Sequence, residues 1–294
     1  MALLSKATSG YIDKKYLWVC HSAPGVGKTT LASKFGGLLI DLENGSAHVD
    51  VKRLTTDEVP DYKSLLQVVD ELPSSGLPAV TIDSATVLEA YIHREICGDR
   101  HKSIDDLGYG AGYTKAREML QHLMQKLQLL TKKMHVIITA HSQVKTFNDP
   151  LTGSSYDRFL IQTHVRFAEI LTSAADNVLF LKHLVDTSVD SKTKKTQAFS
   201  SGKRVIMPNW SHAFEAKNRL GLYDEIPLDY AALQAAIENS KPRSPEQLIQ
   251  EIKHLISRVD EATRQLATAK MKEVGNDATA LLRIKQKLSE MIQP

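Results

Sequence analysis

The sequence predicts an α/β fold, a mainly parallel sheet between helices, followed by a small C-terminal α-helical hairpin. Three observations predict it. Apolar runs of strand length recur near 16–20, 37–42, 79–82, 134–140 and 177–181, and helical patterns separate them. The first run passes through a glycine-bearing turn straight into a helix start. The last fifty or so residues carry apolar positions at alternating spacings of four and three. The 294 residues suffice for one large α/β domain with an appendage, divided as a core over 1–238, a linker over 239–244 and the hairpin over 245–294.

The turn after the first strand is Ser22-Ala23-Pro24-Gly25-Val26-Gly27-Lys28-Thr29-Thr30. Small residues let consecutive backbone N–H groups point inward at phosphate oxygens, and the helix start adds positive potential. Lys28 can then reach the β- and γ-phosphates, and the Thr29 hydroxyl can ligate Mg²⁺. The pattern is that of a P-loop for ATP, with one departure: Ser22 stands where the pattern has its first glycine. A chance turn of similar composition would lack the flanking strand and helix.

The second strand ends in Asp41-Leu42-Glu43-Asn44-Gly45, so Glu43 either faces a ligand at the carboxyl edge of the sheet or is a solvated loop carboxylate. A weakly amphipathic helix follows over 61–72. The strand at 79–84 ends in Asp83, the carboxylate expected at the tip of the strand beside the P-loop to hold Mg²⁺. Residues 85–96 read as helix. The stretch 97–112 reads as a mobile glycine-rich loop in which Tyr109 and Tyr113 could stack on bases, or as a plain surface loop. A helix over 114–132 leads to the strand at 134–140 and to His141 at its end.

Residues 142–163 read as a long functional loop bearing Lys145, Phe147, Tyr156 and Arg158, aromatics interleaved with cations as a single-strand-binding surface needs. A helix over 164–174 precedes the strand at 177–181, and Lys192-Thr193-Lys194-Lys195 reads as a basic hairpin tip. In Glu215-Ala216-Lys217-Asn218-Arg219-Leu220-Gly221, extended backbone puts Lys217 and Arg219 on one face. They form either a phosphate clamp or a charged edge. Asp229 caps a helix to about 238. Ser244-Pro245-Glu246-Gln247 then has the serine, proline and glutamine of a capping box, opening the seam Leu248, Ile252, Leu255, Val259, Ala262 and Leu266. The tail serves either as an interaction module or as a packing appendage.

Composition narrows the classes. Apolar content of 42% and charged content of 24% are ordinary for a globular domain. A net charge of +3 is too small for a global nucleic-acid field, so any DNA contact must come from local loops. Two distant cysteines fit a reducing compartment, and no apolar run approaches membrane length, which predicts a soluble, cytoplasmic protein without a membrane partner.

Together, the segment from Ser22 to Thr30, Ile40-Asp41-Leu42-Glu43, Ile82-Asp83-Ser84, Ala140-His141 and Lys217-Asn218-Arg219-Leu220-Gly221 resemble the RecA-like P-loop ATPases over about 15–237. Within them the chain is most similar to the compact phage-type group of single-strand annealing and recombination proteins. The last motif resembles the K-N-R-F-G of the RadA branch, with Leu220 in place of phenylalanine. The resemblance implies Glu43 as the acid that polarises the attacking water and His141 as a switch residue. It implies Lys217 and Arg219 as cations reaching the γ-phosphate on a neighbouring subunit. It also implies ATP and Mg²⁺ as cofactors and single-stranded DNA as partner, bound by residues near 97–113 and 142–163. A homo-oligomer, ring or helical filament, follows, with a single-stranded-DNA-binding protein as a further candidate partner. For a phage-encoded chain the site of action would be the bacterial host cytoplasm. The competing reading is a RecA-fold DNA helicase or helicase-loading ATPase, and a small-molecule kinase would need an arginine-bearing lid over a second substrate.

Overall fold

A computed structural model describes residues 3–7, 14–189, 196–241 and 243–292. These divide into two compact units, Ile12–Ser240 and Lys241–Pro294 together with Met1–Tyr11. The basic tip expected at 192–195 lies outside the described residues.

In the larger unit the chain runs β1 (Leu17–Ser22), α1 (Lys28–Ser33), β2 (Leu38–Asp41), β3 (Lys52–Leu54), α2 (Tyr62–Glu71), β4 (Ala79–Asp83), α3 (Ala85–Cys97) and α4 (Ala111–Leu130). It continues with β5 (His135–Asn148), β6 (Ser155–Ile161), α5 (Val165–Ala174), β7 (Asn177–Val189), β8 (Thr196–Met207), β9 (Lys217–Asn218), β10 (Ile226–Pro227) and α6 (Tyr230–Ser240). The sheet order is β10-β8-β7-β1-β5-β4-β2-β3, with β3 through β7 on that path parallel and β8 and β10 antiparallel. Strands buried on both faces read as continuous apolar runs, and β1 shows why. Leu17 and Val19 pack into the core under α2 to α5, while Trp18 and Cys20 pack on the opposite side with Leu31 of α1 and Leu233 of α6. The mostly parallel α/β core is the architecture that the sequence predicts.

Three local expectations need correction. The aspartate strand is not beside the P-loop strand: β5 lies between β4 and β1. The stretch 142–163 is no irregular loop. Residues 142–148 prolong β5 and pair antiparallel with β6 from Ser142↔Ile161 to Asn148↔Ser155. Val144, Thr146 and Phe147 on one strand and Tyr156 and Phe159 on the other favour a pleated pair, and Asp149 accepts from the Leu151 amide to close the turn. The glycines near 108–112 serve the entry into α4. Gly110 takes φ 72° before α4, and a Cβ on Gly112 would come 2.5 Å from the Ile104 carbonyl oxygen, so this glycine allows a close approach.

The smaller unit holds three helices where the sequence predicts a two-helix hairpin: α7 (Pro245–Ile256), α8 (Glu261–Val274) and α9 (Ala278–Ile292). Ser244 and Gln247 form the capping box of α7. The predicted seam breaks after Ile256 because the Asp260 side chain accepts from the Thr263 amide and starts a new helix. Leu248, Ile252, Leu281 and Leu288 fill its core, leaving Leu266 exposed. No helix among the described residues is long and apolar enough to cross a membrane.

Candidate nucleotide site and the adjoining hairpin face

The phosphate loop joins β1 to α1 at the carboxyl edge of the parallel strands. Gly25 and Gly27 adopt φ of 78° and 118°, which side chains rarely tolerate, whereas Ser22 is still strand, paired with His141. That explains the departure from the usual motif: position 22 needs no glycine. The Lys28 ammonium curls back to donate to the Ser22 carbonyl at 3.5 Å, the Ser22 hydroxyl at 3.3 Å and the Ala23 carbonyl at 3.4 Å. Burial lowers the Lys28 pKa, while the charges of Asp83 and Glu43 work against that shift.

Asp83 reaches the loop across the intervening strand. Its carboxylate accepts from the Thr29 hydroxyl at 2.6 Å and from the Thr139 hydroxyl on β5. Burial raises its pKa, and those two hydrogen bonds lower it. A divalent cation fits here, because Asp83 and Thr29 offer adjacent hard oxygen donors and an ion would keep a buried carboxylate ionised. Among the described residues no cluster of three His, Cys, Asp or Glu could hold a metal by itself. An ion held by Asp83 and Thr29 together with nucleotide phosphates would neutralise charge on the phosphoryl oxygens.

Glu43 stands on a turn built by its neighbour. The Asp41 carboxylate accepts from the amides of Glu43 and Gly45, each at 3.2 Å, and of Ser46 at 2.8 Å. Although burial raises the Asp41 pKa, these bonds outweigh it and the net shift is downward. Glu43 itself accepts from the Ser84 hydroxyl and meets His141 Nε2 at 3.1 Å. Of its two sequence readings, the solvated loop carboxylate does not describe these contacts, which place Glu43 beside the end of β5. The other ring nitrogen of His141 is buried without a partner.

Sequence reasoning missed His21, a lone polar residue inside an apolar run. Its Nε2 lies 2.7 Å from the Glu215 carbonyl, an acceptor only, so Nε2 carries the proton and Nδ1 accepts from the Ser142 hydroxyl at 2.9 Å. The ring ties the phosphate-loop strand to the root of the hairpin. Burial pushes its pKa down to about 4; the Glu215 bond opposes this and the Lys28 charge adds to it. Because the unfolded histidine takes its proton first, near pH 6.5, stability is lost as the pH falls from about 6.5 to 4, by roughly 3 kcal/mol in all. Melting at pH 7 and pH 4.5 checks this. The His21→Gln protein should lack that share of the acid loss, and parallel curves would clear His21.

On the hairpin the register pairs Lys145 with Arg158 and Phe147 with Tyr156, so all four side chains share one face. The Phe147 and Tyr156 rings lie 5.5 Å apart, and the Arg158 guanidinium sits 5.4 Å from Phe147 and 5.5 Å from Trp210. Trp210, 65% exposed, extends this face, as does His212 against Tyr156. Sequence reading passed over both because they lie on a separate loop. Arg158 Nε is buried without a hydrogen-bond partner.

The other predicted DNA residues diverge. Tyr109 is fully exposed. Tyr113 belongs to α4 rather than to a loop, stacked on His164 at 4.6 Å and edge-on to His93, so its ring is already occupied. Lys217 and Arg219 lie near Asn177 and Val178, which pair with Trp18 and Val19 at the start of β1, the end away from the phosphate loop. Lys217 donates to the Thr172 and Ser173 carbonyls at 2.8 and 2.9 Å, and Arg219 lies 3.7 Å from Asp176. Neither serves the chain's own loop.

A buried loop lysine, a strand-tip aspartate on the loop threonine and a carboxylate beside them, all on one sheet edge, define a P-loop nucleoside triphosphatase. The chain belongs to the AAA domain family, whose model matches residues 14–220, more than half of the sequence. It is an ATPase-type enzyme of that family. Among curated proteins none matches the chain.

Proposed function

We propose that this ATPase binds single-stranded DNA and acts as a recombinase or single-strand annealing protein, with hydrolysis controlled by assembly into a ring or helical filament. One observation carries the reading: the cation and aromatic face of the β5–β6 hairpin grows directly out of the residue that touches Glu43. His141 is both the Glu43 partner and the residue preceding Ser142, where the hairpin pairing begins. A γ-phosphate that shifts Glu43 therefore has a two-residue path to the hairpin root, and strand binding has the same path back.

The face itself has the chemistry for bases and phosphates. Stacked rings accept any base, and the cations pair with the backbone. In an assembly, Arg219 is the freer of the two cations proposed to act on a neighbour, since Lys217 is held by two carbonyls. Anisotropy of a labelled oligonucleotide across a salt series tests the DNA face. Phe147→Ala or Trp210→Ala should cost about 1–3 kcal/mol each with little change in salt slope. Lys145→Ala should weaken binding and flatten the slope by about 0.7, the increment for one phosphate contact on a single strand. Arg158 is a poorer probe because it also packs against the Ser211 and Phe214 carbonyls. Affinity untouched by all three substitutions would overturn the reading.

A further inference from the structure

We propose that Arg204 is a nucleotide-binding residue supplied by the same chain, its guanidinium pairing with the phosphates common to ADP and ATP. Arg204 lies on β8, two strands from β1, and its register partner on β7 is His183. Its Nη1 donates to the Val26 carbonyl at 2.9 Å, across 178 residues of sequence. The contact is intimate: a Cβ on Gly27 would come 2.9 Å from the same Nη1. Gly27 thus answers two demands, its φ of 118° and the approach of this arginine.

Among the described residues the rest of the guanidinium has no anionic partner. The Arg204 side chain is exposed. One bond to Val26 uses one of five N–H donors, which leaves a fixed planar fork at the rim of an anion-binding loop. Lys217 and Arg219 differ in this respect, since Lys217 bonds two carbonyls and Arg219 faces the Asp176 carboxylate, both at the far end of β1. The backbone bond fixes where the charge sits before any nucleotide arrives, so little side-chain entropy is lost on pairing.

A contact to the shared phosphates makes a specific prediction, because ADP and a non-hydrolysable ATP analogue should lose affinity together. Arg204→Gln removes the charge, and because its amide ends two bonds short of the Nη1 position it gives up the Val26 bond as well. Calorimetric titration of the full chain with each nucleotide should show affinity down tenfold or more for both. The salt dependence of ADP binding should also be shallower than in the parent, because the ion pair that salt screens is gone. Arg204→Lys should recover part of the affinity. Melting of the nucleotide-free protein should shift by no more than the loss of one partly buried hydrogen bond allows. If Arg204→Gln does not fold, Arg204→Met keeps the apolar stem without the charge, and the same readouts decide. Parental ADP affinity in the neutral variant would overturn the proposal. So would a loss of affinity with unchanged salt dependence, which would make Arg204 a packing residue of the loop.

Discussion

Lys28→Ala is expected to abolish ATP hydrolysis, with a loss of at least a hundredfold that no substrate concentration restores. The ammonium is almost buried, held by two carbonyls and a hydroxyl of its own loop, so it is positioned before phosphate binds. Its pKa is lowered by burial, and a bound phosphate chain would be the natural counter-charge. Phosphoryl transfer is mostly positioning and charge stabilisation, and this is the site's one cation inside the loop. Steady-state hydrolysis with a melting control checks it. A folded Lys28→Ala protein that still turned over at a tenth of the parental rate would contradict this site.

Glu43→Gln should lower the hydrolysis rate a hundredfold or more while leaving nucleotide affinity near the parental value. Glutamine keeps the shape and can still meet Ser84 and His141, but it cannot take a proton from water. Asp41 cannot substitute, because three backbone amides already occupy its carboxylate. Asp83 is engaged by Thr29 and Thr139. Single-turnover rates beside equilibrium binding separate the two effects. Parental hydrolysis in the folded variant would mean that the base is another group.

What the sequence discloses and what it hides follow from the range of the interactions. The phosphate loop was legible because its demands are local: glycines at two φ-positive positions, then lysine and threonine on the next turn. The buried parallel strands were legible because both of their faces are apolar. The intervening position of β5 was not, since strand order is decided by pairing between segments more than fifty residues apart. The β5–β6 hairpin reads as a loop from sequence because Val144 and Phe147, like Tyr156 and Phe159, stand three apart, which breaks the period-two alternation that marks a strand. Even so, Lys145, Phe147, Tyr156 and Arg158 stand out by residue type, and only the register shows that they share a face. Arg204, His21 and Trp210 carried no local motif, and each matters through a residue far along the chain. Tyr113 shows the reverse: an aromatic beside glycines suggested a free ring, but the glycines serve a helix start and a close contact.

Glu43 meets His141, and His141 precedes Ser142 at the root of the β5–β6 hairpin, the face proposed to bind DNA. The rate of ATP hydrolysis with and without a single-stranded oligonucleotide tests that connection most directly. The account predicts a several-fold rise with single-stranded DNA, none with blunt duplex, and a basal rate but no rise in the Phe147→Ala, Lys145→Ala double variant. A parental rate indifferent to single-stranded DNA would contradict it.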